Sequence, residues 1–281
     1  MSIYKPTVLR EFLESIGASP KKSLSQNFLI DGNILRKIIS TANVQPGDIV
    51  LEIGPGPGSL TELLLTAGAR VIAVEQDNVL AKALERFKNP TNELHIFNQD
   101  IRTFELANEV EKLFGKGQKV KVIANLPYHL TTPILVALVP QHQLITSLIV
   151  MVQHEVGQRM AADETSDEYG SLSVFLKFYC DPTYAFTVSN QCFYPVPRVK
   201  SAVVKLDLHE PLLKENHDQF FIMTRTAFEH RRKMLKASLR DLVPPEKTMS
   251  VLESLGLNPL ARPEELSLND FLNIFNRLFS I

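Results

Sequence analysis

Apolar residues fall in short runs separated by polar turns, and the runs alternate between the two periods of regular secondary structure. Ile49 to Ile53, Arg70 to Val74, Leu94 to Asn98, Val120 to Ala124, Ile145 to Val152 and Ser201 to Leu208 predict strands. The run from Ile145 is almost wholly apolar, as suits a strand covered on both faces. Helices are predicted over Thr7 to Ile16, Asn33 to Ala42 with Asp31 as its cap, Leu60 to Ala67, Glu105 to Phe114, and Thr132 to about Val139. Val174 to Tyr179 fits a strand or the helix leading into one. Past the turn His209-Glu210-Pro211 the period is helical throughout, with Phe220 to Leu242, Thr248 to Leu255 and Ser267 to Phe279. Strands alternating with helices argue an α/β domain over residues 1–209, and the tail argues a small helical domain over residues 210–281.

Composition narrows the class without naming it. The chain has 281 residues, 44% of them apolar, and a net charge of −1. Any nucleic-acid contact must therefore rest on local basic patches rather than on global charge. Cys180 and Cys192 fit no zinc or CxxC spacing and read as buried, reduced thiols of a cytoplasmic protein. No apolar run reaches the roughly 18 residues of a membrane span, and the first residues lack a signal-peptide core. No metal is implied.

The organising stretch is Asp48 to Thr61, a strand, a turn with glycine at Gly54, Gly56 and Gly58, and a helix. Alternate glycines allow positive φ and close approach of a ligand to the backbone. Ser59 with Glu62 predicts a capping box. The third glycine comes one residue earlier than in the dinucleotide fingerprint, which favours S-adenosylmethionine over a dinucleotide. Glu75, ending the next strand, can accept both ribose hydroxyls of an adenosine. Asp100, ending the third, can take an adenine amine or serve equally as a helix cap.

Asn125-Leu126-Pro127-Tyr128 follows the fourth strand. An adenine N6 amine is a poor nucleophile because its lone pair is delocalised into the ring. An Asn side-chain carbonyl and a main-chain carbonyl can take its two hydrogens while a tyrosine stacks on the extruded base. His154, beside a strand end, is read as structural. In the tail, a single helix from Phe220 to Leu242 would place Arg225, Arg232, Lys233, Lys236 and Arg240 within an arc of about 100° opposite the apolar residues. Five like charges without an acid point at phosphate. Arg231 falls on the apolar side.

Taken together, these motifs resemble the small-subunit ribosomal RNA adenine dimethyltransferases. The matching pieces are Ser25 to Leu29, Glu52 to Thr61, Val74 to Asp77, Asn125 to Tyr128, Gln153 to Arg159, Tyr169 to Val174, Phe193 to Val203, Phe228 to Lys233 and Arg262 to Leu266, which span nearly the whole chain. The resemblance implies a seven-stranded Rossmann-like methyltransferase domain with a small C-terminal helical domain. It implies S-adenosyl-L-methionine held by Asn27, Leu29, Gly54, Gly56, Glu75, Asp100 and Asn125. Asn125 and the Leu126 carbonyl would orient the target amine, and Tyr128 and Phe193 would sandwich the base. Arg198 and Lys200, in a rigid aromatic and basic stretch, join the tail cations as RNA contacts. The implied substrate is two adjacent adenosines near the 3′ end of small-subunit RNA, in an assembling small subunit, and the implied state is a monomer. Ser25 stands where the family usually has glycine, and Gln99 where a small or acidic residue usually precedes Asp100; both bear on cofactor affinity.

Three other readings stay in view. The related large-subunit Erm type shares the glycine turn and the tetrapeptide. A ribosome-assembly or transcription factor could keep the fold only to bind RNA, and a nicotinamide oxidoreductase could use the turn.

Overall fold

The computed structural model describes residues 3–21, 24–164, 166–230 and 233–279. The chain forms two compact units, Met1–Gly157 with Asp181–His209 and Gln158–Cys180 with Glu210–Ile281.

The first unit begins with α1 (Pro6–Ser15), the two-residue strand β1 (Phe28–Leu29) and α2 (Gly32–Thr41). Asp31 caps α2 by accepting the Asn33 and Ile34 amides at 2.8 and 3.1 Å. There follow β2 (Ile49–Ile53), α3 (Ser59–Thr66), β3 (Arg70–Glu75), α4 (Asn78–Ala83), β4 (Leu94–Asn98), α5 (Leu106–Phe114), β5 (Val120–Asn125), α6 (Thr131–Leu138), β6 (Ile145–Gln153) and α7 (His154–Met160). After β7 (Cys180–Val188), the short β8 (Phe193–Tyr194) pairs antiparallel with β1, and β9 (Ser201–Leu208) completes a seven-stranded sheet.

The sheet order is β4-β3-β2-β5-β6-β9-β7. Strands β2 to β6 run parallel, and β9 runs antiparallel to β6. All five residues of β2 are buried, as a central strand covered on both faces requires. The chain builds outward from β2 through β3 to β4, then returns to the other side of β2 with β5. That reversal opens a crevice at the carboxyl ends of β2 and β5, where open α/β sheets bind ligands.

The second unit packs α8 (Ser171–Tyr179) with α9 (His217–Glu229), α10 (Leu235–Ser238), α11 (Pro245–Ser254) and α12 (Leu268–Phe279). The segment 158–180 thus departs from the single division expected after His209. Its aromatic rings explain why: Phe178 stacks on Phe220 at 5.2 Å, and Phe175 lies 5.1 Å from Phe221. Burying rings of this size contributes roughly 1.5–3 kcal/mol each. The stretch Val174–Tyr179, left open between strand and helix, is helical, and β7 follows it.

Two local expectations are corrected. Ser59 is the first helical residue of α3 rather than its cap, because the chain enters from Gly58 at φ 91° and Glu62 N–H bonds the Gly58 carbonyl at 3.1 Å. Ser59 Oγ is buried and makes no hydrogen bond among the described residues. The helix expected over Phe220 to Leu242 is interrupted: α9 ends at Glu229, and Met234 is extended ahead of α10. There the Leu235 amide donates to the distant Ala261 carbonyl at 2.8 Å instead of to the preceding turn. Of the two cysteines, Cys180 is buried and Cys192 only half-buried.

Candidate active site

The carboxyl ends of the parallel strands border an open cleft. Gly54 and Gly56 come from the turn after β2, Glu75 from the end of β3, Asp100 from just beyond β4, and Asn125, Leu126 and Tyr128 from the end of β5 and the turn after it. Asn27, just ahead of β1, closes the near wall. Leu29 lines a neighbouring, more apolar cavity that shares Gly54 and Asn125 with the cleft.

The glycine turn needs its glycines for space as well as for φ. A Cβ on Gly56, at φ 56°, would stand 3.1 Å from the Phe28 ring, and one on Gly58 would stand 2.5 Å from the Phe87 ring. Arg86 clamps the same turn, donating to the Pro57 carbonyl while its guanidinium lies 4.4 Å from the Phe12 ring and 4.1 Å from the Phe87 ring. Burial pushes this arginine down to about 10.

Glu75 is buried and accepts the Gly56 amide at 2.8 Å through Oε2 and the Asp77 amide at 2.9 Å through Oε1. Burial raises its pKa, and those two donors oppose the rise. Each carboxylate oxygen keeps a further lone pair for a ligand hydroxyl. Asp100 serves both roles foreseen for it: it lines the cleft, and it caps a short 3₁₀ turn through the Arg102 amide at 2.9 Å. The Arg102 guanidinium, at 2.6 Å, holds the Asp100 carboxyl below its ordinary range.

Asn125 Nδ2 donates to the Asn27 carbonyl at 3.1 Å. A main-chain carbonyl only accepts, so this contact fixes the amide orientation and leaves Oδ1 as the free acceptor. Tyr128 lines the cleft and its hydroxyl meets Ser201 Oγ at 2.9 Å; burial raises its pKa.

Phe193 is not brought to the cleft. It pairs with Leu29 in the β1–β8 ribbon and is 1% exposed, packed in the core with Leu29, Val188 and Val203. The expected sandwich of Tyr128 and Phe193 around a base is therefore not formed, because the Phe193 ring has no free face.

The predicted RNA contacts fall on several separate elements. Arg198 and Lys200 are exposed in the loop ahead of β9. Arg225 is exposed on α9 and donates to the Phe221 carbonyl. Lys233 and Arg240 are exposed beyond the break, while Lys236 reaches Met249 Sδ at 3.2 Å. Arg232 and Arg231 lie outside the described residues. The break before α10 means that Arg225 shares no continuous helix face with Lys236 and Arg240.

Sequence reasoning missed several residues. Glu52 is buried, receives the Thr61 hydroxyl at 2.7 Å, and is raised to about 8, chiefly by burial. An acid in the middle of an apolar strand was the available signal. Asp77, Lys21 and Gln26 form a cluster beside Glu75, and Ser25 Oγ meets His129 Nδ1 at 3.2 Å. His154 bonds the Tyr184 hydroxyl at 2.8 Å, in keeping with a structural role.

These residues fit an adenosylmethionine. Among the described residues the charged side chains lining the cleft are Glu75 and Asp100, both acids. Such a wall suits a sulfonium cation with an adenosine and offers no cation to a pyrophosphate.

Comparison with known proteins agrees with this geometry. The chain is 55% identical over 280 residues to ribosomal RNA small subunit methyltransferase A of Protochlamydia amoebophila, covering 100% of this chain and 99% of that protein. It is 47% identical to the protein of the same name from Chlamydia muridarum, over 96% of each. Among solved structures it resembles a dimethyladenosine transferase from Plasmodium falciparum, with TM-score 0.76 and 28% identity over 89% of this chain and 98% of that one. It also resembles the 23S rRNA methyltransferase ErmE, with TM-score 0.69 and 27% identity over 90% and 99%. A model of the ribosomal RNA adenine dimethylase family matches residues 17–279, and the chain belongs to that family.

Proposed function

We propose that the chain transfers methyl groups from S-adenosylmethionine to N6 of two adjacent adenosines near the 3′ end of small-subunit ribosomal RNA, during ribosome biogenesis. The observation that carries this reading is the Asn125 amide, whose nitrogen is tied to the Asn27 carbonyl so that its oxygen stays free as an acceptor, in a cleft that Tyr128 also lines.

S-adenosylmethionine, when bound, supplies an electrophilic methyl on a sulfonium. The chain's own residues do the rest. Glu75 offers acceptors for ribose hydroxyls, and Asp100 offers one for an exocyclic amine. Asn125 Oδ1 and the Leu126 carbonyl would accept the N6 hydrogens, two before the first transfer and one before the second, which draws the nitrogen toward the pyramidal form that exposes its lone pair. Neither group titrates near neutral pH, so the positive charge developing on nitrogen is met by fixed dipoles. The proton that N6 sheds on gaining each methyl passes to water, and S-adenosylhomocysteine is left behind. Tyr128 provides the ring on which an extruded base stacks. Alignment of the bound reactants contributes the remainder.

Arg198, Lys200, Arg225, Arg232, Lys233, Lys236 and Arg240 remain candidate phosphate contacts, now as separate points rather than one helical stripe. The methyltransferase role is assigned to the sheet unit, and RNA contact to the helical unit together with Arg198 and Lys200 of the sheet unit. No described helix is long and apolar enough to cross a membrane. We take the working form to be a cytoplasmic monomer acting on an assembling small subunit.

The likeness to ErmE favours a second reading, modification of large-subunit RNA. Incubating the protein and labelled S-adenosylmethionine with unmethylated small subunits and with large-subunit RNA, with Asn125→Ala as control, separates the two. Label in adjacent 3′-end adenines of the small subunit supports the proposal. Label confined to large-subunit RNA favours the second reading, and tight particle binding without label would favour an RNA-binding factor.

A further inference from the structure

One carboxylate ties three separate parts of the cleft together. Asp77 has a side chain only 3% exposed. Its Oδ1 caps α4, accepting the Val79 and Leu80 amides at 3.0 and 3.3 Å. Its Oδ2 receives Lys21 Nζ at 2.8 Å and Gln26 Nε2 at 3.2 Å. Gln26 Oε1 in turn accepts the Lys21 amide at 2.8 Å, so the two residues reach Asp77 as a unit. On its main-chain side, the Asp77 amide donates to Glu75 Oε1, and Glu75 Oε2 accepts the Gly56 amide.

A continuous hydrogen-bonded path therefore runs from the glycine turn through Glu75 and Asp77 to Lys21 and Gln26. Gln26 is followed at once by Asn27, Phe28 and Leu29, the residues that wall the cleft and its neighbouring cavity. Burying an acid this deeply is unfavourable unless it is paired, and four donors make the pairing here. Capping α4 alone would use one oxygen. The second oxygen is spent wholly on the residues leading into the cleft wall.

We propose that Asp77 is a positioning residue that, through Lys21 and Gln26, holds the cleft wall at Asn27 to Leu29 closed over the adenosine end of the site. Asp77 itself does not line the cleft. The latch therefore governs how tightly the cofactor is kept and leaves the methyl-transfer step alone. The inference rests on the cofactor site proposed above.

The test uses the full chain, with S-adenosylhomocysteine binding by calorimetry as a readout independent of turnover. Lys21→Met removes the charge from a half-exposed side chain and leaves the α4 cap intact. It should weaken S-adenosylhomocysteine binding and raise the KM for S-adenosylmethionine by about tenfold each, with kcat at saturation changed by less than about twofold. Lys21→Arg should restore both to within about threefold. Asp77→Asn can keep its oxygen on the α4 cap but then turns an amide N–H toward both Lys21 and Gln26, so it should weaken binding at least as much as Lys21→Met. The double variant should lose less than the two single effects combined, because the Lys21–Asp77 pair is counted in both. Thermal midpoints of all variants identify any that merely unfold. A Lys21→Met protein that binds as the parent does, or that loses kcat with KM unchanged, overturns the latch. Glu75→Ala tests the underlying site: unaltered binding there removes the cofactor reading itself, whereas lost binding there with normal binding in Lys21→Met removes only the latch.

Discussion

The side-chain nitrogen of Asn125 and the main-chain oxygen of Asn27, 98 residues apart in the chain, meet at 3.1 Å across the mouth of the cleft. The contact aims the Asn125 oxygen and also ties down the wall that carries Asn27. Asn125→Ala is expected to lower kcat on the order of a hundredfold, the scale seen when one preorganised dipole is removed. The wall keeps its other ties, so S-adenosylhomocysteine affinity should fall no more than about fivefold. Asn125→Asp sets a carboxylate, with no N–H, against the Asn27 carbonyl, and should weaken binding further. Single-turnover rates and calorimetry check both, and equal losses of rate and affinity in Asn125→Ala would remove the assigned role.

Tyr128 offers a ring to the cleft and a hydroxyl to Ser201. Stacking resides in the ring, and base–aromatic stacking contributes about 1–3 kcal/mol. Tyr128→Phe should retain activity within about threefold, while Tyr128→Ala should lose about tenfold to a hundredfold in kcat/KM for RNA. Steady-state assays on small subunits decide it; a hydroxyl deletion as damaging as ring deletion would give the phenol, not the stack, the leading role.

How much of this was legible depended on the range of the interactions. The glycine turn, the strand ends at Glu75 and Asn125, and the Asp31 cap are set by neighbouring residues, and they read directly from the sequence. The Asp77 cluster was not legible, because Lys21 and Gln26 come from well before the glycine turn and Asp77 from after β3. Nor was the break before α10: the amphipathic period runs on past Glu229, while the Leu235 amide bonds the distant Ala261 carbonyl, a partner no local pattern announces. Segment 158–180 was misassigned for the same reason, its partners Phe220 and Phe221 lying far along the chain. Ser25 is instructive in another way. It stands at φ 51°, the region that favours glycine, which explains the glycine usual there, and its hydroxyl gains His129 as a partner. Gln99 lines the cleft with its side-chain amide donating to Thr103.

Phe193 sits in the core, so its truncation should first be a stability defect. Phe193→Ala removes a buried ring and should cost about 3–5 kcal/mol, the range for such deletions. Phe193→Leu, closer in volume, should recover most of that. Chemical denaturation measures both. A Phe193→Ala protein as stable as the parent but unable to methylate RNA would mean that the ring leaves the core in the working enzyme.

Glu52 should make the fold less stable as pH rises. Its pKa goes from an ordinary 4.5 to about 8, chiefly because burial disfavours the charge, with the Thr61 hydroxyl opposing and Glu75 adding to the rise. Between those two values the folded chain holds a proton that the unfolded chain has lost. Folding is then proton-linked, and stability falls by up to about 1.4 kcal/mol per pH unit from this one group. Below 4.5 both states are protonated and above 8 both are ionised, so the loss is confined to that window. Glu75 is raised too and adds to the slope with the same sign. Glu52→Gln keeps an acceptor for Thr61 without the titration. It should match the parent near pH 4.5 and become more stable than it, by a few kcal/mol in order of magnitude, near pH 8. Urea unfolding of parent and variant across this range measures the gap; a difference that stays constant with pH would mean that Glu52 is ionised in the folded chain.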